Sequence, residues 1–327
     1  MTAGSEDWRP GASRARLLAR AALLRRAREF FAARGVLEVD TPLLVNSPVS
    51  EVHIHSARVQ LVAVPGDGAA PLFLHTSPEY AMKRLLAAGS GDIYQICHVV
   101  RGLEYGRLHN PEFTLIEWYR VGFTLGQLMD EVEALVRALL GAAATSRVNE
   151  RLSYRDAFVR ELGLDPLSAS AEALAAAARP LGFRPGAPRA DEWLELLMAA
   201  HIGPRLGHNA LTFVHGYPAS QAALARLDPS DARVAERFEL YCDGVELANG
   251  FRELASAAEQ RARFEHDNSE RRRRGLPVAA LDERLLAALA AGLPDCAGVA
   301  LGFDRTLMLA TGAERIEEVL PFPTARA

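Results

Sequence analysis

Between Arg101 and Tyr119 an arginine-bearing loop, Arg101-Gly-Leu-Glu-Tyr-Gly-Arg-Leu-His-Asn110, runs directly into a stretch of alternating character, Phe113-Thr-Leu-Ile-Glu-Trp-Tyr119. Successive side chains of a strand point to opposite faces, so Thr114, Ile116 and Trp118 share one face and Phe113, Leu115, Glu117 and Tyr119 the other. The second face sets aromatic rings and a carboxylate toward the ground covered by Arg101. A chain that does this is laying out a nucleotide site on a sheet.

That row resembles the second signature motif of the class II aminoacyl-tRNA synthetases, and His109-Asn-Pro-Glu-Phe-Thr114 is similar to their lysyl branch. Two further segments carry the same resemblance, Gly244-Val-Glu-Leu-Ala-Asn-Gly-Phe-Arg-Glu253 and Gly298-Val-Ala-Leu-Gly-Phe-Asp-Arg305, the latter looking like the third signature. Phe30 to Leu44 looks like the first, the helix and strand through which the family forms homodimers. The resemblance runs from about Ser13 to Pro323. It implies an α+β fold: a mainly antiparallel sheet flanked by helices, with residues 1–12 as a tail, 13–327 as the catalytic domain and a helical insertion at about 145–210. Glu246-Leu-Ala-Asn-Gly-Phe251 is closer to the lysyl-like ligases that modify elongation factor P than to the lysyl-tRNA synthetases proper.

At 327 residues with 49% hydrophobic content the chain has ample material for a buried core. Its net charge of −4 excludes a global basic field that would hold nucleic acid by counterion release, so any such contact is local. Cys97, Cys242 and Cys296 are scattered without Cys-x-x-Cys spacing, which argues against a disulfide framework and against zinc and fits reduced thiols in a cytoplasmic protein. No apolar run is long enough for a leader or a bilayer span, so no membrane is expected. Lys83 is the only lysine among 37 basic residues, a bias read here as genomic.

The spacing predicts a helix over 13–34 stopped by Gly35, then an extended segment 36–41 before Pro42. Strands are expected near 52–64 and 72–75, joined as a hairpin through Pro65-Gly-Asp-Gly68, followed by a helix over 76–88 and a strand over 92–100. A helix over 125–140 precedes Ala-rich helical text with breaks at Asp165-Pro166 and 184–188. Strand character resumes at 211–215, 238–242 and 245–250, a charged helix runs to Arg274, and the chain closes with a helix, a strand near 299–302 and a helix from Phe303. Arg271 to Arg274 read as a solvated helix face with i,i+4 pairs, or else as a docking patch for an acidic partner.

Thr76-Ser-Pro-Glu79 has on its own the pattern of a helix capping box. The lysyl resemblance gives it a second role, with Ser77, Pro78 and Glu79 lining the amino-acid pocket and Glu79 receiving an ammonium group. By the same resemblance Tyr119, Glu253 and Ala300 complete that pocket. The resemblance also implies that Arg101 and Arg305 are the catalytic residues that hold phosphate, in keeping with the fit of planar guanidinium forks to the charge that builds when a carboxylate attacks the α-phosphate of ATP. It implies that Phe113 stacks on adenine and that Gly102, Leu103, Asn110, Glu246, Leu247, Gly302 and the two arginines form the rest of the ATP site. By resemblance Glu246 and Glu253 serve the metal, supplying the hard oxygens that Mg²⁺ on ATP requires.

Lysyl-tRNA synthetases carry an N-terminal anticodon-reading domain, and here the catalytic-type helix begins within about fifteen residues of Met1. The expected activity is therefore ATP-dependent activation of lysine or (R)-β-lysine and transfer to a lysine of elongation factor P, with tRNA an improbable substrate. Ala300, where the tRNA enzymes usually have Gly, supports a reshaped pocket floor. Two departures from the family pattern bear on activity: Gly102-Leu103 replace the usual Asn-Glu, with Glu104 one place late, and no Asp follows Glu253 in Leu-Ala-Ser-Ala257. Both leave the arginines and the glutamate pair in place, which implies retained but altered activation. The alternatives are a truncated enzyme that charges tRNA and a non-catalytic sensor of amino acid or nucleotide.

Overall fold

The computed structural model describes residues 8–60, 71–183 and 189–327. Its helices are α1 (Arg14–Ala32), α2 (Glu79–Ala87), α3 (Leu125–Leu140), α4 (Tyr154–Leu162), α5 (Ala171–Ala178), α6 (Ala190–Leu197), α7 (Ala257–Arg273), α8 (Glu283–Gly292) and α9 (Phe303–Thr311). Its strands are β1 (Leu37–Glu38), β2 (Leu44–Val45), β3 (Arg58–Val59), β4 (Leu72–Leu74), β5 (Ile93–Val100), β6 (Glu112–Val121), β7 (Val148–Ser153), β8 (Ala210–Pro218), β9 (Val234–Cys242), β10 (Val245–Arg252) and β11 (Cys296–Gly302).

Eight of these strands form one sheet in the order β1-β5-β6-β11-β10-β9-β8-β7, and β2-β4-β3 form a small second sheet. Every pairing inside the large sheet is antiparallel, while both edges are closed by a parallel strand, β1 on β5 and β7 on β8. The fold is thus α+β. The expected hairpin is present as the antiparallel pair β3 and β4, but its turn at 65–68 lies outside the described residues, as does the break at 184–188.

The alternation in β6 sorts as its period demands. Ile116 and Trp118 are fully buried in the main core with Phe31 of α1, Val132 and Leu135 of α3 and Leu307 of α9. Trp118 keeps its indole N–H satisfied by donating to Glu131 at 3.1 Å. Phe113, Leu115, Glu117 and Tyr119 line the floor of a cavity on the opposite face. One carboxylate locks the helical layer to the sheet: buried Asp304 at the start of α9 accepts from the backbone N–H of Thr114 at 2.7 Å and pairs with Arg20 of α1, which also donates to the Thr114 hydroxyl at 2.6 Å. That lock fixes the first turn of α9, and with it Arg305.

Residues 154–206 build their own apolar cluster around Tyr154, Phe158, Trp193 and Leu197, packed beside Val214 and Tyr217 of β8. Its α6 meets α7 through ion pairs from Arg189 to Glu270 at 2.6 Å and from Arg274 to Glu192 at 2.8 Å. Arg271 is buried and donates to the carbonyls of Pro277 at 2.7 Å and Glu51 at 3.0 Å. The arginine run is therefore in part a structural joint: Arg271 and Arg274 bind groups of other elements, while Arg272 and Arg273 are exposed and Arg273 pairs with Glu270 of its own helix at 2.9 Å.

Candidate active site

One cavity of about 1230 Å³ opens on the polar face of the sheet, floored by β6, β11, β10 and β9 and walled by the 49–54 segment, α6 and α7. Its two ends differ in charge.

At one end carboxylates converge. Glu117 of β6 is buried, accepting from the Ser77 hydroxyl at 2.7 Å and from the Tyr119 hydroxyl at 2.8 Å. Burial, reinforced by neighbouring Glu79, pushes its carboxyl up to about 7. Glu253, just past β10, is buried beside it and pushed up to about 8, again chiefly by burial. Lys83 lies between Glu253 and Glu79, with its Nζ 2.5 Å from the first and 2.6 Å from the second. Burial opposes the charge on Lys83, but Glu253 and Glu79 outweigh it and hold the ammonium protonated well beyond its ordinary range.

Local backbone rules bring these groups together. Helix α2 starts at Glu79 rather than at Thr76, and the Ser77 hydroxyl accepts from the Glu79 N–H at 3.0 Å. The expected Thr76 capping box does not form, because the Glu79 side chain turns down its own helix to Lys83 at i,i+4 instead of back to Thr76. Gly298 of β11 lies in register with Tyr119, and a Cβ there would sit 2.3 Å from the Tyr119 ring and 2.5 Å from Glu253 Oε1. The floor is bare so that both can lie on it. Ala300, two residues on and in register with Glu117, lines the same cavity with its methyl.

At the other end arginines converge. Arg101 donates to the Thr76 carbonyl at 3.2 Å, and its guanidinium lies 5.2 Å from the centre of the half-buried Phe113 ring. Arg305 donates to the Glu246 carbonyl at 3.0 Å and to His109 Nε2 at 2.7 Å. Burial and that guanidinium lower the pKa of His109, which keeps the ring neutral and able to accept. Gly302 borders the same space below Arg305, and Leu247 reaches it through its backbone while its side chain is in the core.

Some candidate residues are placed differently from the others. The Asn110 side chain lines the cavity but is spent on the loop, donating to the Glu112 carbonyl at 2.6 Å and accepting from the Thr324 N–H at 3.1 Å. Gly102 is held by a 2.7 Å hydrogen bond from its N–H to the His55 carbonyl, and Leu103 points into solvent, 76% exposed, with a left-handed φ of 66°. That turn returns Glu104 to the cavity, 3.9 Å from Arg101. The late glutamate thus reaches the site at the cost of a strained leucine.

Glu246 and Glu253 are not brought together. A register shift between Glu246 and Ala248 turns Glu246 toward the arginine end, 3.7 Å from Arg305, while Glu253 is engaged by Lys83. The acidic neighbour of Glu246 is Glu239 of β9, which, after burial, is the main cause of its rise to about 6. Glu239 in turn accepts from Arg237 and the Tyr241 hydroxyl, each at 2.6 Å. Among the described residues no three His, Cys, Asp or Glu side chains form a ready metal cage.

Lys83, Glu104, His109, Glu117 and Glu239 belong to the site but are missing from the sequence-derived set. Glu117 was legible as sharing a face with Phe113 and Tyr119, and Lys83 carried a signal in being the sole lysine.

Fold and cavity define an α+β domain with a carboxylate pocket and an arginine pocket side by side on one antiparallel sheet. The profile of the tRNA synthetases class II (D, K and N) matches residues 5–326. Among curated proteins the chain is 50% identical over 324 residues to the elongation factor P–(R)-β-lysine ligase of Proteus mirabilis, covering 98% of each. It is 48% identical over 327 residues to the protein of the same name from Vibrio cholerae, covering 99% of each, and 48% identical over 323 residues to that of Salmonella typhi, covering 98% of each. The chain belongs to the class II tRNA synthetase family and, within it, to the group of elongation factor P–(R)-β-lysine ligases.

Proposed function

We propose that this chain uses ATP to activate (R)-β-lysine or lysine as an aminoacyl adenylate and passes the acyl group to the ε-amine of a lysine on elongation factor P. The observation that carries this is the cavity's division into a buried carboxylate end, suited to a diamino acid, and a guanidinium end, suited to phosphate. The names of the relatives supply the acceptor.

The ammonium groups of the amino acid meet Glu79, Glu117 and Glu253 over the floor of Gly298 and Ala300, with Pro78 setting the start of α2 and Tyr119 walling the distal amine. Its carboxylate then faces Arg101 and attacks the α-phosphorus in line. An O–P bond forms, the bond to pyrophosphate breaks, and Arg101 and Arg305 stabilise the charge that gathers on the phosphate oxygens. Phe113 stacks on adenine, with Asn110, Leu247 and Gly302 contributing walls and backbone, and Gly102 and Leu103 acting through the path of their loop. In the second half-reaction the acceptor amine attacks the carbonyl carbon, the C–O bond to AMP breaks, and the amine's proton leaves to solvent.

The Mg²⁺ that the family implies fits Glu246 with Glu239, two neighbouring carboxylates beside Arg305. Such an ion takes one or two carboxylates and completes its shell with phosphates and water, so no larger cage is needed. When bound it supplies positive charge to the outer phosphates. Glu253 is assigned to the amino acid, because it lies with Lys83 at the carboxylate end of the cavity, whereas Glu246 faces Arg305. A homodimer through residues 30–44 accounts for the exposure of Leu37, Leu43 and Leu44, and is tested by sedimentation of wild type against Leu43→Glu. No helix among the described residues is long and apolar enough to cross a membrane, and we place the enzyme in the cytoplasm.

The test is amino-acid-dependent ATP–pyrophosphate exchange with lysine, (R)-β-lysine and a panel of other amino acids, on wild type and Arg101→Ala. Exchange specific to the two diamino acids and lost in the variant is expected. No exchange with any amino acid would remove the ligase assignment in favour of a sensor, and charging of tRNA at a comparable rate would favour the synthetase alternative.

A further inference from the structure

Lys83 is the one basic residue that this chain writes as lysine; all the other basic residues counted are arginine. It is also among the least exposed, at 1%, and it sits inside the carboxylate pocket. A planar guanidinium spreads its donors over a fork, whereas an ammonium is a compact point charge with three donors. A gap whose two carboxylate oxygens lie 2.5 and 2.6 Å from one nitrogen is shaped for the compact group. Lys83 is in effect a built-in copy of the group that the pocket is proposed to bind.

The groups facing it are Glu79 on its own helix, Glu253 at the end of β10, Glu117 and the Tyr119 hydroxyl on β6, and the Cys296 thiol on β11; the ring of Phe251 lies 5.4 Å from Nζ. Glu117 accepts from the Ser77 and Tyr119 hydroxyls, and Lys83 makes its close ion pairs with Glu79 and Glu253. When all three carboxylates are ionised, they and the one ammonium together carry two negative charges, the number that the two ammonium groups of lysine or β-lysine neutralise. Without Lys83, Glu79 and Glu253 would confront each other across a dry gap, and two like charges so placed retain a proton between them. A carboxylate that holds a proton no longer accepts from a substrate ammonium.

We propose that Lys83 is a positioning residue of the amino-acid pocket: its ammonium bridges Glu79 and Glu253, favours their ionised forms, holds them aimed, and sets the pocket's charge to match a diamino acid. The proposal rests on the functional assignment above and extends it to a residue that does not touch the reacting atoms.

The sign of its pH effect follows from charge alone. Removing a cation raises the pKa of the carboxylates around it, so substrate binding must expel a proton up to a higher pH. Lysine affinity of Lys83→Met is therefore expected to fall by at least about tenfold at pH 7 and below, and the gap to wild type should narrow only as the pH rises above about 8. Lys83→Arg, which keeps the charge, should follow the wild-type pH dependence at whatever absolute affinity its size permits. Calorimetric titration with lysine reads this without turnover, so the charge argument is tested even if exchange fails and the ligase assignment falls. A folded Lys83→Met whose affinity parallels wild type across the pH range, whether unchanged or uniformly weakened, would overturn the proposal and leave Lys83 as a space-filling residue. Should Lys83→Met not fold, Lys83→Gln, whose amide still donates to the carboxylates, carries the same comparison with the same two outcomes.

Discussion

Gly298→Ala is the sharpest perturbation that the site offers, because it adds a single methyl at a point where the structure leaves no room. The new carbon would lie 2.3 and 2.5 Å from two atoms of the Tyr119 ring and 2.5 Å from Glu253 Oε1, against ordinary carbon contacts of about 3.5–4.0 Å. One of the two must move by more than about 1 Å. Glu253 is pinned by Lys83, and Tyr119 is buried with its hydroxyl on Glu117, so relief comes by rotating the tyrosine off its partner. Overpacking of this kind costs about 1–3 kcal/mol. Spread over an unfolding entropy of about 0.7 kcal/mol/K for a chain of this length, that lowers Tm by only ~1.5–4 °C. The functional effect is larger, since a lost hydrogen bond to a charged group is worth about 1.5–3 kcal/mol, or roughly a 10- to 100-fold rise in KM for the amino acid. KM for ATP should hold, because the arginine end shares no atom with the clash. Both constants come from one ATP–pyrophosphate exchange experiment, with a thermal melt as the control for folding. A folded variant with wild-type KM for lysine would refute the assignment of Tyr119 and Glu253 to the pocket floor.

Arg101→Ala should cut exchange by about 10²–10³-fold while leaving Tm nearly unchanged, as befits a group that stabilises charge only in the transition state; steady-state exchange and a melt check both. Leu103→Asn places a residue that tolerates the left-handed region at φ 66°, and should stabilise the protein by about 1 kcal/mol in a thermal or urea melt. Glu117 and Glu253 are raised to about 7 and about 8, so between an unfolded value near 4.5 and these pKa values the folded protein binds more protons than the unfolded chain. Stability contributed by the free pocket therefore falls as pH rises from about 5 to 8, and the lysine-induced rise in Tm should grow over the same interval; a ligand shift that shrinks with pH would contradict the sign. Glu246→Gln should weaken the dependence of exchange on Mg²⁺, seen as a several-fold higher Mg²⁺ concentration at half-maximal rate, with KM for lysine unaffected.

What could be read along the chain was whatever depends on near neighbours in sequence. The period of 2 in β6 sorts Ile116 and Trp118 from Glu117 and Tyr119 because strand geometry alone fixes that choice, and α3 spans the predicted 125–140 because its apolar stripe and Thr124 cap are local. Misreadings arise where a side chain has two possible partners and the distant one wins. Glu79 satisfies a capping pattern on paper, yet a lysine four residues on makes a stronger attachment than Thr76. Glu246 and Glu253 look like a pair at seven residues apart, but one register shift in β10 sends the first to Glu239 and the arginines and leaves the second with Lys83. Arg274, at the end of the 271–274 run, looks solvated until α6 arrives from another part of the chain to pair with it. Lys83 joins both kinds of evidence. Its rarity was visible in the sequence, but a lone lysine in an arginine-rich chain has no meaning until packing encloses it with three carboxylates. Only then does the choice of ammonium over guanidinium become a statement about what the pocket holds.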